Sequence, residues 1–424
     1  MPDSVPGMDL RRALAEVVGD AHAFDDPELT AGYETDWTGR WSGRASVVVR
    51  PADTSEVARV VAICAAEGAA LVPQGGNSGL VGGGIPRDSV LLSLTRLRDV
   101  GPHDSALRTV SVGAGATLAS LHDAVPDPGL DFGARDSATI GGIVACDAGG
   151  ARALRHGTAR ARVAGLEAVL ADGSVVSRMS GLLKDNAGYN LPALLVGSEG
   201  TLGVITSVLW KTVPRLSERV AALLAVDDVA EVLAHLRTPS LEACDFFTRA
   251  CVPEAPGELN VIAEWAADHD PLDEIAAALG DREALIADDT ASRERLWAMR
   301  EGIPERIQKL GVPVKLDVGV PLASLGRFLT AVPEACGSAT PYLFGHLGDG
   351  NVHVNLVGDG ADSDSVLALV LELGGTISAE HGVGVAKAGW LERARDQAEV
   401  AAMRAIKRAL DPAGIFNPGV VLCD

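Results

Sequence analysis

The sequence predicts an α+β fold of two domains closed by a C-terminal helical segment, and three observations carry that reading. A chain of 424 residues is too long for a single compact core. Glycine-punctuated, β-branched strand runs fill its first half, whereas beyond Pro214 Ala-rich helical patterns alternate with short strands. A last Ala-rich helix, about 396–409, leads into "LDPAGIFNPGVVL". The expected boundaries are 1–214, 215–385 and 386–424, the last segment returning to the first domain.

Within 1–214, "TSEVARVVAICAAEG" (54–68) has a Thr/Ser start, apolar residues at helical spacing and Gly68 as a stop. "AALVPQGG" reads as a buried strand running into a glycine loop. "SVLLSL", "TVSVGAG", "VAGLEAVLADGSVV" and "TLGVITSVLWKTVP" read as further strands. In the second domain "ELNVIAEW" and "VPVKLDVGVP" are strands, and "YLFGHLGDGNVHVN" is strand, glycine turn, strand.

Composition narrows the function. At 47% hydrophobic and 22% charged the chain is globular. A net charge of −21 excludes a nucleic-acid partner, and an anionic substrate would need local cations. No apolar run approaches the ~18 residues of a membrane span, and the N-terminal stretch lacks the apolar core of a secretory leader. The six cysteines (64, 146, 244, 251, 336, 423) form no CxxC, which fits free thiols in a reducing cytoplasm without an iron–sulfur cluster or zinc knuckle.

Three glycine loops fall in the first domain. "VPQGGNSGLVGGGIP" (72–86) packs six glycines into positions 75–84; "SATIGGIVACDAGGARALRHG" spans 137–157; "GSEGTLGVIT" spans 197–206. Glycine lets backbone amides approach a diphosphate. No Gly-Lys-Ser/Thr follows, so a Walker A loop is excluded, and no helix opens on a third glycine as in a dinucleotide fingerprint. Three such loops beside strands point to a large phosphate-bearing cofactor.

"GHLGDGNVHVN" (345–355) holds two of the nine histidines. Strand alternation puts His353 and Asn355 on one face, with His346 returning beside them across the turn. "SAEHGVGVAK" (378–387) adds Glu380 and His381. Two imidazoles and a carboxylate suit a divalent ion. Spacing alone leaves metal ligands, an acid–base pair and ordinary loop residues open.

Taken together, "PQGGNSGLVGG", "IGGIVACDAGG", "GLEAVLADGSVV", "KDNAGYNLPALLVGSEGTLGVIT" and "FNPG" resemble the flavin-binding domain of the vanillyl-alcohol-oxidase-like fold. Within it the chain resembles the D-2-hydroxyacid dehydrogenases, most closely the D-2-hydroxyglutarate branch, from about residue 45 onward. The resemblance implies a two-part FAD-binding domain, an α+β substrate (cap) domain carrying a metal site, and a C-terminal helical segment. It implies FAD held by Pro73, Gln74, Gly75, Gly76, Asn77, Ser78 and Gly79 and by Ser137, Thr139, Gly141, Gly142, Ala148, Gly149 and Gly150. Glu199, Gly200, Ile205 and Asn417 would lie toward the isoalloxazine. Asn77-Ser78 stands where covalent-flavin relatives place a histidine, so the FAD is expected to be non-covalent.

By the same resemblance His346, His353 and Glu380 would bind a divalent metal, commonly zinc, and His381 would be the base. Arg300, Lys315, Asn355 and His381 would contact substrate. The implied reaction oxidises a D-2-hydroxyacid, D-2-hydroxyglutarate first and D-lactate second, with hydride passing to flavin N5. Electrons would leave to an external acceptor: an electron-transfer flavoprotein, a quinone or a dye-like carrier. A homodimer is the assembly considered, and nothing basic or amphipathic argues for membrane contact.

Three departures or rivals qualify this. Pro304 stands where the hydroxyglutarate branch has threonine, leaving the far end of the substrate unassigned. Asp147 replaces a usual asparagine and would be unfavourable beside a diphosphate unless turned away. Rival functions are a same-fold non-redox transferase of the alkyl-dihydroxyacetone-phosphate synthase kind, a D-lactate or glycolate-type oxidase, and a non-catalytic flavin subunit. The joint presence of His346, His353, Glu380 and His381 counts against the subunit.

Overall fold

The computed structural model describes residues 10–423, so the first nine residues of the stretch expected to lack a secretory leader lie outside it. Strands β1 (Ala23–Phe24), β2 (Arg44–Val49), β3 (Leu71–Gln74) and β4 (Arg87–Ser93) form one sheet in the order β1-β2-β4-β3, with β2 and β3 parallel to β4. Strands β5 (Thr109–Gly113), β6 (Val163–Val169), β7 (Val175–Arg178) and β8 (Val204–Lys211) form a second, antiparallel sheet in the order β5-β8-β6-β7. One apolar core that includes Val57, Val90, Val112 and Val208 joins the two.

The helix Thr54–Glu67 forms as the spacing predicts: Val57, Val60, Val61 and Cys64 recur at helical intervals and are all buried. Its cap is Asp53, one residue before the expected Thr/Ser start, which accepts from the Glu56 amide at 2.8 Å. Gly68 closes it in the left-handed region, φ 62°. Pro73 sits in β3, an edge strand, where its missing amide breaks no ladder. The C-terminal segment covers that edge. Leu71 donates to Ile415 O at 2.7 Å, and Asn417 donates back to Leu71 O at 2.9 Å.

The stretch 137–157, read from sequence as a glycine loop, contains two short helices, Ile140–Cys146 and Ala153–His156. Ile140, Ile143 and Val144 fall on one buried face, and that amphipathic spacing outweighs the helix-disfavouring Gly141-Gly142 pair. Gly141 is tolerated because a Cβ there would meet Ala114 at 2.7 Å.

Strands β9 (Glu218–Val226), β10 (Leu241–Thr248), β11 (Leu259–Ala267), β12 (Ala284–Ala287), β13 (Val314–Gly319), β14 (Thr340–His346) and β15 (Asn351–Val357) build a seven-stranded antiparallel sheet. Its order is β12-β9-β11-β10-β14-β15-β13. One face buries Cys244, Phe246, Val318, Val352 and Val354 under helices Leu322–Ala335 and Ser363–Glu372. The other carries the polar residues described below and packs against helices Thr290–Glu301 and Ile303–Gln308. Among the described residues no helix is long and apolar enough to cross a membrane.

Candidate active site

Register alone assembles the polar face. In the adjacent strands β10-β14-β15-β13, Asp245 pairs with His346, His346 with Asn351, and Phe344 with His353. His353 pairs with Asp317, and Asn355 with Lys315. Directly paired residues point to the same side of a sheet, so these side chains share one surface. Of these, Asp245, Lys315, Phe344, His346, His353 and Asn355 form one wall of a cavity of about 930 Å³. The opposite wall is the first glycine loop and the 137–150 segment, with Glu199, Gly200 and Ile205.

All the sequence-predicted site residues but one meet on this cavity, including Arg300, Lys315, Asn355 and His381. The exception is Asn417, which is not in the wall. Its Nδ2 donates to Gly83 O at 2.8 Å and to Glu199 O at 2.9 Å, so it ties the first loop to the third from behind. Asp411 organises the turn that presents it, accepting from the Ile415 and Phe416 amides at 3.0 and 2.8 Å. Asp147 also lies off the wall. Its carboxylate accepts from Arg160 N at 2.9 Å and Nε at 2.8 Å, which removes the objection to a carboxylate beside a diphosphate.

The glycine-lined wall fits a bulky cofactor laid against backbone. A Cβ on Gly76 would stand 1.6 Å from Ser137 O, and one on Gly75 would stand 2.0 Å from Thr139 Oγ1. Thr139 Oγ1 is itself buried with no protein partner. Asn77 and Glu199 hold left-handed φ values of 52° and 51°, a strain of the kind kept at ligand-holding turns.

At the other wall, three imidazoles surround one carboxylate oxygen. Glu380 Oε1 lies 3.4 Å from His346 Nε2, 3.5 Å from His353 Nε2 and 3.8 Å from His381 Nε2. Its other oxygen accepts from the Gly150 amide at 2.6 Å, which joins this cluster to the glycine wall. His353 and His381 stack at 5.1 Å and 13°. Behind them, Asp245 Oδ1 holds His346 Nδ1 at 2.7 Å and Asp317 Oδ1 lies 3.4 Å from His353 Nδ1.

Carboxylates Asp245, Asp317 and Glu380 face two cations, Arg300, paired to Asp245 at 2.9 Å, and Lys387, whose Nζ donates to Asp317 O at 3.2 Å. Burial disfavours a charged imidazole at His346, but Asp245 and Glu380 outweigh it and hold its pKa well above the ordinary value. Burial pulls His353 down to about 4, so that ring is neutral and a nitrogen donor at pH 7. Burial would raise Glu380, yet His346, His353 and His381 hold it well below the carboxylate range. A bound divalent ion would take the place of the proton that these carboxylates hold on His346, and a set of imidazole nitrogens with a carboxylate oxygen suits such an ion.

Ligand-capable atoms of Asp317, His353, Glu380 and His381 all lie within 4.8 Å of one another. His346 approaches the same Glu380 oxygen, whereas Asp317 has both oxygens engaged by other donors.

Sequence reasoning missed several residues here. Asp245 is one of two acidic residues in β10, with Glu242, and Asp317 lies two residues from Lys315 on the same strand face. Trp37 stands at the rim with Lys315 Nζ 4.4 Å from its ring centroid. Trp297 donates to Glu264 Oε2 at 2.5 Å in the cavity wall. Pro304 lines the cavity from the first turn of its helix, where no amide donor is needed.

The chain is similar to known FAD-dependent proteins. Residues 45–178 match an FAD binding domain and 253–421 match the C-terminal domain of FAD linked oxidases. The D-2-hydroxyglutarate dehydrogenase of Xanthomonas citri pv. viticola is 34% identical, over 96% of this chain and 95% of its own. The mitochondrial D-2-hydroxyglutarate dehydrogenase of Bos taurus is 34% identical over 99% and 84%.

The chain belongs to the FAD-linked D-2-hydroxyacid dehydrogenase family.

Solved structures place the fold. An alkyldihydroxyacetonephosphate synthase superposes with a TM-score of 0.75 at 16% identity, covering 99% of this chain and 86% of that one. p-Cresol methylhydroxylase with bound substrate superposes with a TM-score of 0.76 at 16% identity, covering 98% and 96%. The chain therefore has the vanillyl-alcohol-oxidase-type fold, and the FAD binding domain and the dehydrogenase relatives make it an FAD-linked oxidoreductase.

Proposed function

We propose that the protein oxidises a D-2-hydroxyacid to the 2-oxoacid, D-2-hydroxyglutarate being the first substrate to test and D-lactate the second. The observation that carries the reading is the convergence of His346, His353 and His381 on Glu380 Oε1, across one cavity from the glycine wall. FAD would supply the two-electron acceptor, and Pro73–Gly79 and the 137–150 segment would hold it non-covalently. A divalent metal, zinc being the first to test, would supply Lewis-acid polarisation of the substrate hydroxyl, and His346, His353 and Glu380 would hold it.

The chain's own groups do the rest. Arg300, anchored through Nε by Asp245, has its terminal nitrogens left to grip a carboxylate, and the Phe344 ring lies 4.6 Å from its centre. Lys315 and Asn355, side by side in register, complete the anion contact. His381, half-buried and stacked on His353, receives the hydroxyl proton. Electrons then leave to an external carrier. The six unpaired cysteines favour a reducing compartment.

The test is an anaerobic stopped-flow screen of D- and L-2-hydroxyacids monitored by flavin absorbance. Reduction by D-isomers is expected; reduction by an L-isomer alone rejects the proposal, and reduction by none rejects it in favour of the non-redox transferase reading.

A further inference from the structure

The proposed metal holders and the proposed base sit on two segments, and one buried carboxylate organises both. Asp317 is 1% exposed, on the same face of β13 as Lys315. Its Oδ2 accepts from three successive backbone amides, Ala379 at 3.1 Å, Glu380 at 2.8 Å and His381 at 2.8 Å. Its Oδ1 accepts from Asn351 Nδ2 at 2.7 Å and faces His353 Nδ1 at 3.4 Å.

Three consecutive N–H groups reach one oxygen only when their peptide planes turn toward it together, the arrangement of an anion nest. That fixes the backbone from which the Glu380 and His381 side chains leave. Asn351 opens the hairpin strand that carries His353, so the same carboxylate also sets β15 against the 379–381 segment. Lys387, 2% exposed, supports the arrangement from behind by donating to the Asp317 carbonyl at 3.2 Å.

Asp317 also stands close enough to His353, Glu380 and His381 to be taken for a ligand itself. The hydrogen bonds decide otherwise: Oδ2 accepts from three backbone amides and Oδ1 from the Asn351 side-chain amide, with His353 Nδ1 only facing it at 3.4 Å.

We propose that Asp317 is a positioning residue, not a metal ligand, and that it orients Glu380 and His381 together through their backbone amides while steadying His353. The inference rests on the metal site proposed above. In Asp317→Asn the amide NH2 must replace one oxygen, so either the nest or the Asn351 contact meets a donor instead of an acceptor.

The test uses the FAD-loaded protein stripped of metal and titrated with Co2+ and with Zn2+, reading affinity by chelator competition and the ligand set by the visible Co2+ spectrum. Flavin content and melting are read in parallel. Asp317→Asn is expected to retain FAD and keep the wild-type Co2+ band positions, yet bind either ion about 10- to 100-fold more weakly, the usual loss for an outer carboxylate. Wild-type affinity in the variant, or shifted Co2+ bands showing a changed ligand set, overturns the inference. Should Asp317→Asn fail to fold, Asn351→Ala, which removes the donor on Oδ1, gives the same reading with a smaller loss; unchanged affinity there also overturns it. If the wild-type protein itself takes up neither ion, the metal arm of the proposed function fails, an outcome distinct from wild-type uptake with an indifferent Asp317.

Discussion

Replacing Glu242 by glutamine probes the ionic network that ties the first glycine-rich half to the seven-stranded sheet. Glu242, on β10, is 1% exposed. It accepts from Arg152 Nη2 at 3.0 Å, contacts His156 Nε2 at 2.9 Å and pairs closely with Arg219. Arg152 and His156 come from the 137–157 stretch, so the contact crosses between the two halves. Removing one partner of a buried charge pair costs ~3–5 kcal/mol. Here Arg152 keeps its two 2.8 Å bonds to Asp127 and Arg219 keeps Glu264 at 2.7 Å. The lower end, about 3 kcal/mol, is therefore expected for Glu242→Gln.

The pH dependence has a definite sign. Burial would raise the Glu242 carboxyl, but His156, Arg152 and Arg219 outweigh burial and hold it well below the usual range. A depressed folded-state value means that the stabilisation is complete above the unfolded value of about 4.3 and is lost as pH falls through the folded one. Urea and thermal unfolding of the holoprotein should thus show a large deficit for the variant at pH 7 that shrinks below about pH 4. Equal midpoints for variant and wild type at pH 7, or a deficit that grows on acidification, would refute the network's role.

Three other perturbations address the site. His381→Ala should slow substrate-driven flavin reduction by ~10²–10⁴-fold, the usual contribution of a general base, with FAD content unchanged; a full-rate variant removes His381 from the mechanism. Arg300→Lys cannot hold Asp245 and a substrate carboxylate at once, so one charge-assisted contact is lost and kcat/KM should fall by about 10- to 100-fold. Unchanged steady-state kinetics would place carboxylate recognition elsewhere. Gly76→Ala drives a Cβ into Ser137 O at 1.6 Å, and the purified protein should lose FAD, read from its absorbance ratio; full occupancy would show that this turn does not contact the cofactor.

Much of this arrangement was legible because strand alternation is a strict rule. His353 and Asn355 had to share a face, and His346 had to return beside them once "GDGN" was read as a turn. The helix at 54–67 was equally legible, since apolar spacing, an N-terminal cap and Gly68 all agreed. The 137–157 stretch was misread because local glycine content spoke for a loop, whereas burial of Ile140, Ile143 and Val144 against the core favoured a helix. Asp245 and Asp317 were missed for another reason. Their partners lie about 100 and 60 residues away in sequence, and only the strand order β10-β14-β15-β13 brings them behind the histidines. Asn417 does not itself line the cavity: the turn set by Asp411 aims its side chain at Gly83 and Glu199, which do.

The central claim is that the three-imidazole, one-carboxylate cluster and the glycine wall act together on a D-2-hydroxyacid. The most direct test measures anaerobic flavin reduction by D-2-hydroxyglutarate and D-lactate in one preparation as isolated, after chelation, and after a stoichiometric divalent ion is restored, with FAD occupancy followed throughout. The account predicts rapid reduction by at least one D-isomer, loss of at least about 100-fold on chelation while FAD stays bound, and recovery with the ion. Full-rate reduction without any divalent ion, or no reduction by either acid in the metal-replete protein, would contradict it.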